Sequence, residues 1–169
     1  TRVVGSVSAS VIISTNRPER LAGALEQALG QSEVDYEVLV LTHGFHAEDV
    51  ADVDGYGAVR FFYAPATESL GSCLNQLVSH AHGDIVAKMD DDDNYGPYYL
   101  HDQINALRFS GADIVGKQAA YLYLESTNEL VLRKEWNEHS WVELVLGATL
   151  TGWKSVFEAH PFAELGKGE

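Results

Sequence analysis

Asp84-Ile85-Val86-Ala87-Lys88-Met89-Asp90-Asp91-Asp92-Asp93-Asn94 runs an apolar stretch straight into four consecutive carboxylates. The apolar part, residues 84–89, reads as a buried strand, because it is short, rich in aliphatic residues and bounded by Gly83 on one side and polar residues on the other. Four adjacent ionised Asp repel one another, which costs stability unless water, a helix N-terminus or a cation offsets it. Without its cation the run is expected to be internally repelled or poorly ordered.

Upstream of this strand the chain alternates between two periods. Residues 8–14 form a β-rich segment, and Thr15-Asn16-Arg17-Pro18 follows it, where Asn or Thr can cap a helix and Pro sits well in the first turn. Leu21, Leu25, Ala28 and Leu29 then repeat at helical spacing. Residues 36–41 and 59–63 read as second and third strands, and residues 69–80 as a helix carrying Leu70, Leu74 and Leu77 on one face, ended by Gly83. Downstream, residues 98–109 read as a helix and 113–117 as a strand, while 121–124 and 130–133 form a hairpin around Ser126-Thr127-Asn128-Glu129.

Strands that alternate with helices, most of them near-continuous apolar runs, need crossover connections and a sheet covered on both faces. The fold class is therefore α/β, a three-layer α/β/α sandwich with a mostly parallel central sheet. Ligands of such sheets bind beyond the carboxyl ends of the strands. That rule lines up residues 14–17, 42–45 and 90–94 along one edge.

The chain of 169 residues, 46% of them hydrophobic, suffices for one sizeable core, so a single domain over residues 1–169 is expected, cut short at its C-terminus. Eleven Lys and Arg against 25 Asp and Glu leave a formal charge of −14, which disfavours a nucleic-acid partner. One cysteine, Cys73, forms no internal disulfide and fits a reducing compartment. No apolar run reaches transmembrane length, and no charged-then-apolar leader pattern is present. The expected location is cytoplasmic, with peripheral association at the inner face of the membrane left open.

Three readings compete for the acidic run. A solvated turn that caps the next helix is the plainest. A calcium loop of the EF-hand type fails in both frames: with Asp90 first, Tyr95 replaces the Gly at position six and His101 the Glu at position twelve; with Asp91 first, Tyr95 falls on a ligand position. A hard divalent cation, Mn2+ or Mg2+, shared with a diphosphate explains more, because one or two carboxylates plus phosphate oxygens suit such an ion and reconcile an acidic chain with an anionic ligand. Asp90 and Asp92, two apart at a strand end, can point to the same side.

Taken with their order, these motifs resemble the inverting family 2 glycosyltransferases of the GT-A, or nucleotide-diphospho-sugar transferase, fold. SVIISTNRPERLAGALEQALGQ is similar to the family's opening strand, turn and helix; YEVLVL to its second strand; ESLGSCLNQLVSHAHGDIVAKMDDDD to its helix and Asp-x-Asp strand; and GATLTGWKSVFEAHPFAELGKGE to its acceptor-side segment. The resemblance implies that Ser14, Thr15, Asn16 and Arg17 border the nucleotide, with Asn75 on the following helix. It implies that Asp90 contacts the ribose or the metal, that Asp92 ligates the metal, and that Asp93 and Asp91 serve beside them. Gly147, Ala148 and Thr149 then line the donor sugar and acceptor, and Glu169 stands at the catalytic Glu-Asp motif, whose Asp acts in the family as general base. The implied partners are a nucleoside-diphosphate sugar and a glycan or lipid-linked acceptor of the cell envelope. Thr42-His43-Gly44-Phe45 departs from the family's Asp-Asp-Gly-Ser type sequence, whose Asp recognises the base, and Leu74 stands where an Arg usually precedes Asn75; His43, from its position after a strand, could touch the nucleotide or be a solvated loop residue.

The remaining candidates are weaker. His80-x-His82 and His43-x-x-His46 lack Cys partners and a zinc-like arrangement. Lys88, Arg133 and Lys134 are cations that could meet phosphates, with a snorkelling surface position as the default. Trp136, Trp141 and Trp153 could stack on sugars or simply pack. Two rival functions stay open at this level: a noncatalytic nucleotide- or sugar-binding domain on the same fold, and a nucleotidyltransferase, whose Gly-rich basic loop is missing.

Overall fold

The computed structural model describes residues 7–50, 57–134 and 138–165. Strand β1 (Ala9–Thr15) leads through Pro18, which opens helix α1 (Pro18–Leu29), into β2 (Tyr36–His43). Then come a short 3-10 turn (Ala47–Asp49), β3 (Val59–Ala64), α2 (Leu70–His80) and β4 (Ile85–Lys88). The second half carries α3 (Tyr99–Ser110), β5 (Ile114–Val115), a hairpin of β6 (Ala120–Leu124) and β7 (Glu129–Arg133), a 3-10 turn (Gly147–Thr149), β8 (Thr151–Trp153) and α4 (Lys154–Ala159).

The main sheet has the order β3-β2-β1-β4-β8-β5. Its first four strands are parallel, whereas β8 runs antiparallel to both β4 and β5. Side-chain alternation splits the core into two layers. Val11, Ile13, Val38, Val40, Ile85 and Ala87 face α1 and α3 through Leu21, Leu25, Leu100, Ile104 and Leu107. Ile12, Leu39, Leu41 and Val86 face α2 and α4 through Leu74, Leu77, Val78 and Phe157. The three-layer α/β/α arrangement read from the sequence is thus present.

Two local readings need correction. Helix α2 stops at His80, capped by Ala81, so Gly83 is not its terminator. Gly83 is instead a close-approach residue: a Cβ there would lie 2.6 Å from the Ala9 carbonyl carbon and 2.7 Å from Ser10 N. Its N–H donates to Ser10 Oγ at 2.9 Å, and Ser10 in turn donates to Glu37 at 2.7 Å. The turn before α1 also differs from a simple side-chain cap. Arg17 holds the N-cap position without a side-chain cap bond, while Thr15 Oγ1 accepts from the Arg17 N–H at 3.0 Å.

The β6–β7 ribbon forms a sheet of its own, paired from Ala120↔Arg133 to Leu124↔Glu129. Tyr121, Tyr123, Leu130 and Leu132 lie on one face and Leu122, Leu124 and Val131 on the other, and all are exposed. No helix among the described residues is long and apolar enough to cross a membrane.

Candidate functional site

Strand β4 ends at Lys88, and the acidic run begins two residues later at the carboxyl edge of the parallel strands. The run itself leaves the strand, turning at residues 91–93. Lys88 and Asp90 share one side, and the Lys88 ammonium pairs with Asp90. Asp91 turns to the opposite side, toward the start of α1, where it is buried. There Arg17 grips it through both Nε, at 3.1 Å, and Nη2, and the Thr15 hydroxyl also donates to it. Arg17 Nη1 reaches on to Asp92 Oδ2 at 2.9 Å. The repulsion expected within the run is therefore offset from within the chain by Arg17 and Lys88.

Asp90 and Asp92, each with one cation partner, and Asp93 form an open cluster. One carboxylate oxygen from each lies within 4.8 Å of the others. Oxygen donors at that spacing suit a hard divalent cation such as Mn2+ or Mg2+, and Asp93 joins the Asp-x-Asp pair in the same cluster. The two exposed members are tuned in opposite senses. The Arg17 hydrogen bond holds the Asp92 carboxyl below the usual range. Burial, and then the charges of Asp90 and Asp92, push Asp93 up. Arg17 itself is held more firmly protonated by its bonds to Asp91 and Asp92.

Tyr95 ties this cluster to the far wall. Its hydroxyl accepts from the Asp90 N–H and donates to the Ala148 carbonyl, both at 2.8 Å. Burial raises the Tyr95 hydroxyl well above its ordinary value, so it stays a neutral donor. Tyr99 packs edge-on against Tyr95, at 4.8 Å between ring centroids, and burial pushes its pKa up to about 12. Gln27 in α1 and Gln31 just beyond its end clamp the intervening loop: Gln27 Oε1 accepts from Tyr95 N at 2.7 Å, and Gln31 accepts from Leu100 N at 2.8 Å and donates to the Gly96 carbonyl at 3.0 Å. The turn at Gly147, Ala148 and Thr149 is held from its other side. Thr149 Oγ1 accepts from Lys117 N at 2.8 Å, and its carbonyl accepts from Gln103 at 3.1 Å.

Thr15, Arg17, Lys88 and Asp90 to Asp93 thus converge, and Tyr95 joins Gly147, Ala148 and Thr149 to them. Lys88 corrects the snorkelling expectation: it is only 7% exposed and paired beneath Asp90, because a charge on the inner side of a parallel strand cannot reach water. Ser14 is half-buried, and Asn16 is exposed beside the Thr15 turn. His43 ends β2 at the same edge, and its buried Nε2 has no hydrogen-bond partner among the described residues. Asn75 is spent elsewhere, its amide bonded both ways to the Phe162 backbone at 2.9 and 2.8 Å. Glu169 and Trp136 lie outside the described residues. Sequence reasoning missed Tyr95, Gln27 and Gln31. Gln27 and Gln31, four apart across the end of an amphipathic helix, were the available signal.

A strand order of 3-2-1-4-8-5 with an acidic run at the end of the fourth strand defines a GT-A type nucleotide-diphospho-sugar transferase fold. The chain belongs to glycosyl transferase family 2, whose sequence profile matches residues 10–163. Among solved structures it is similar to the mannosyltransferase PcManGT from Pyrobaculum calidifontis in complex with GDP-Man and Mn2+, at a TM-score of 0.72 and 16% identity, covering 95% of this chain and 49% of that one. It is also similar to S. aureus TarS 1-349, at a TM-score of 0.68 and 16% identity over 95% of this chain and 52% of TarS 1-349. The same protein in complex with UDP gives a TM-score of 0.68 at 17% identity, covering 93% and 50%. The chain thus spans about half the length of these structures. No curated protein matches it by sequence.

Proposed function

We propose that this domain binds a nucleoside-diphosphate sugar, with UDP as the favoured nucleotide, and transfers the sugar with inversion to a glycan or lipid-linked acceptor of the cell envelope. The observation that carries the reading is the convergence of Asp90, Asp92 and Asp93 at the carboxyl edge of β4, tied through Tyr95 to the Gly147–Thr149 turn. The solved relatives support it, since PcManGT was captured with GDP-Man and Mn2+ and TarS with UDP.

In this reading Asp90, Asp92 and Asp93 hold a divalent cation, which when bound supplies charge stabilisation to a departing diphosphate. Thr15 and Ser14 border the nucleotide, and His43, at the end of β2 on the same edge, stands on the side of the base. The backbone of Gly147, Ala148 and Thr149 lines the sugar. The acceptor oxygen forms a bond to the anomeric carbon from the face opposite the diphosphate. The bond to the phosphate oxygen breaks with its electron pair, and the hydroxyl proton passes to a carboxylate, a role we assign to the segment at Glu169.

Titration with UDP, GDP and CDP, with and without Mn2+, tests the reading. UDP binding that requires Mn2+ and falls at least about tenfold in Asp92→Asn is expected. Absence of all nucleotide binding would overturn it.

A further inference from the structure

The three carboxylates that converge on the site do not stand alone. Beneath Asp90 lies the Lys88 ammonium, on a side chain 8% exposed, and Asp90 is its ion-pair partner. Arg17, another cation at the site, pairs with the buried Asp91 and through Nη1 with Asp92. Four carboxylates and these two cations therefore leave two negative charges, the amount a single divalent ion neutralises. Lys88 is the last residue of β4 and Asp90 follows two residues on, so the pair straddles the end of the strand. A buried ammonium next to a metal-binding carboxylate also opposes the incoming cation. Charges of one and two units about 5 Å apart repel, even at the dielectric of water, by an amount worth about tenfold in affinity.

We propose that Lys88 is the counter-cation of the acidic cluster: it sets the charge of the cluster to that of one divalent ion and holds the metal affinity down until an anionic ligand arrives. The proposal rests on the metal-binding reading of Asp90, Asp92 and Asp93. Its sign separates it from simple anchoring. If Lys88 only steadied Asp90, its removal would weaken the metal site; as counter-cation, its removal strengthens it.

The test is Mn2+ titration of the nucleotide-free protein, by calorimetry and water-proton relaxation, for wild type and Lys88→Met, which keeps most of the buried stem. The wild type is expected to bind one Mn2+ and the variant to bind it about tenfold more tightly. Unchanged or weaker binding by the variant, with wild-type binding intact, overturns the role of Lys88 and leaves the metal reading standing. No Mn2+ binding by the wild type overturns the metal reading and the charge-setting role together. A metal-free double-mutant cycle over Lys88→Met and Asp90→Asn, read by urea unfolding, addresses the pairing itself. Coupling between the two supports it, and additive effects overturn it.

Discussion

At the scale of single residues, the division of labour within the Asp run follows from which side each carboxylate takes. Asp91 is buried and depends on Arg17 and Thr15. Arg17→Ala leaves that carboxylate short of its cation and is expected to cost about 3 kcal/mol, the low end for breaking such a pair because Thr15 still donates. Urea denaturation at pH 7 measures it; a loss below about 1 kcal/mol would show that water replaces the guanidinium. Glu37, at the opposite end of the sheet, makes a second charged network. Burial alone would raise its pKa, but the His82 N–H at 2.6 Å, the Ser10 hydroxyl and Arg60 at 2.9 Å outweigh it and hold the carboxyl below its usual range. A depressed carboxylate adds stability above its unfolded pKa, and that stability disappears as pH falls through the folded value. Glu37→Gln should therefore cost about 2 kcal/mol at pH 7. The difference from wild type should shrink below about pH 4, as thermal melts across that range would show. The grouping of Asp90 with Asp92 was legible from their spacing, whereas Asp93 joins them because the chain turns at residues 91–93 instead of staying extended. The Arg17–Asp91 pair was not legible, because 74 residues separate the partners.

Secondary-structure elements show the same division. The parallel strands and their helices were readable as apolar runs and periodic stripes, and the hairpin as two β-rich segments around a polar turn. Strand β8 was not: Thr151, Gly152 and Trp153 have no pattern of their own and become a strand because β4 and β5 each offer it an edge. Gly83 shows how an element can rest on a missing side chain. With the Ala9 and Ser10 backbone within 3 Å of any Cβ, Gly83→Ala must displace β1 from the start of β4. A cost of about 2 kcal/mol is expected, read from the urea midpoint. An unchanged midpoint would mean that the 81–84 turn absorbs the methyl group without strain.

For the whole molecule, the two packed layers around the sheet contrast with the β6–β7 ribbon, whose two faces are both exposed. Replacing residues 120–133 by a short Gly-Ser turn, across ends already paired at Ala120↔Arg133, is expected to cost less than about 1 kcal/mol of stability. Calorimetry of the shortened chain measures this, and a larger loss would show that the ribbon packs on the body of the domain. The α/β class, the place of the acidic run at the carboxyl edge of the parallel strands and the Asp90–Asp92 pair could all be read from the chain, since they follow from local period and short-range spacing. Packing settled how the four charges are shared out: Asp91 and one oxygen of Asp92 to Arg17, Asp90 to Lys88, and Asp93 to the open cluster that it forms with Asp90 and Asp92. Those assignments depend on which side chains are brought within a few ångströms of one another by packing, and neither composition nor spacing along the chain carries that distance.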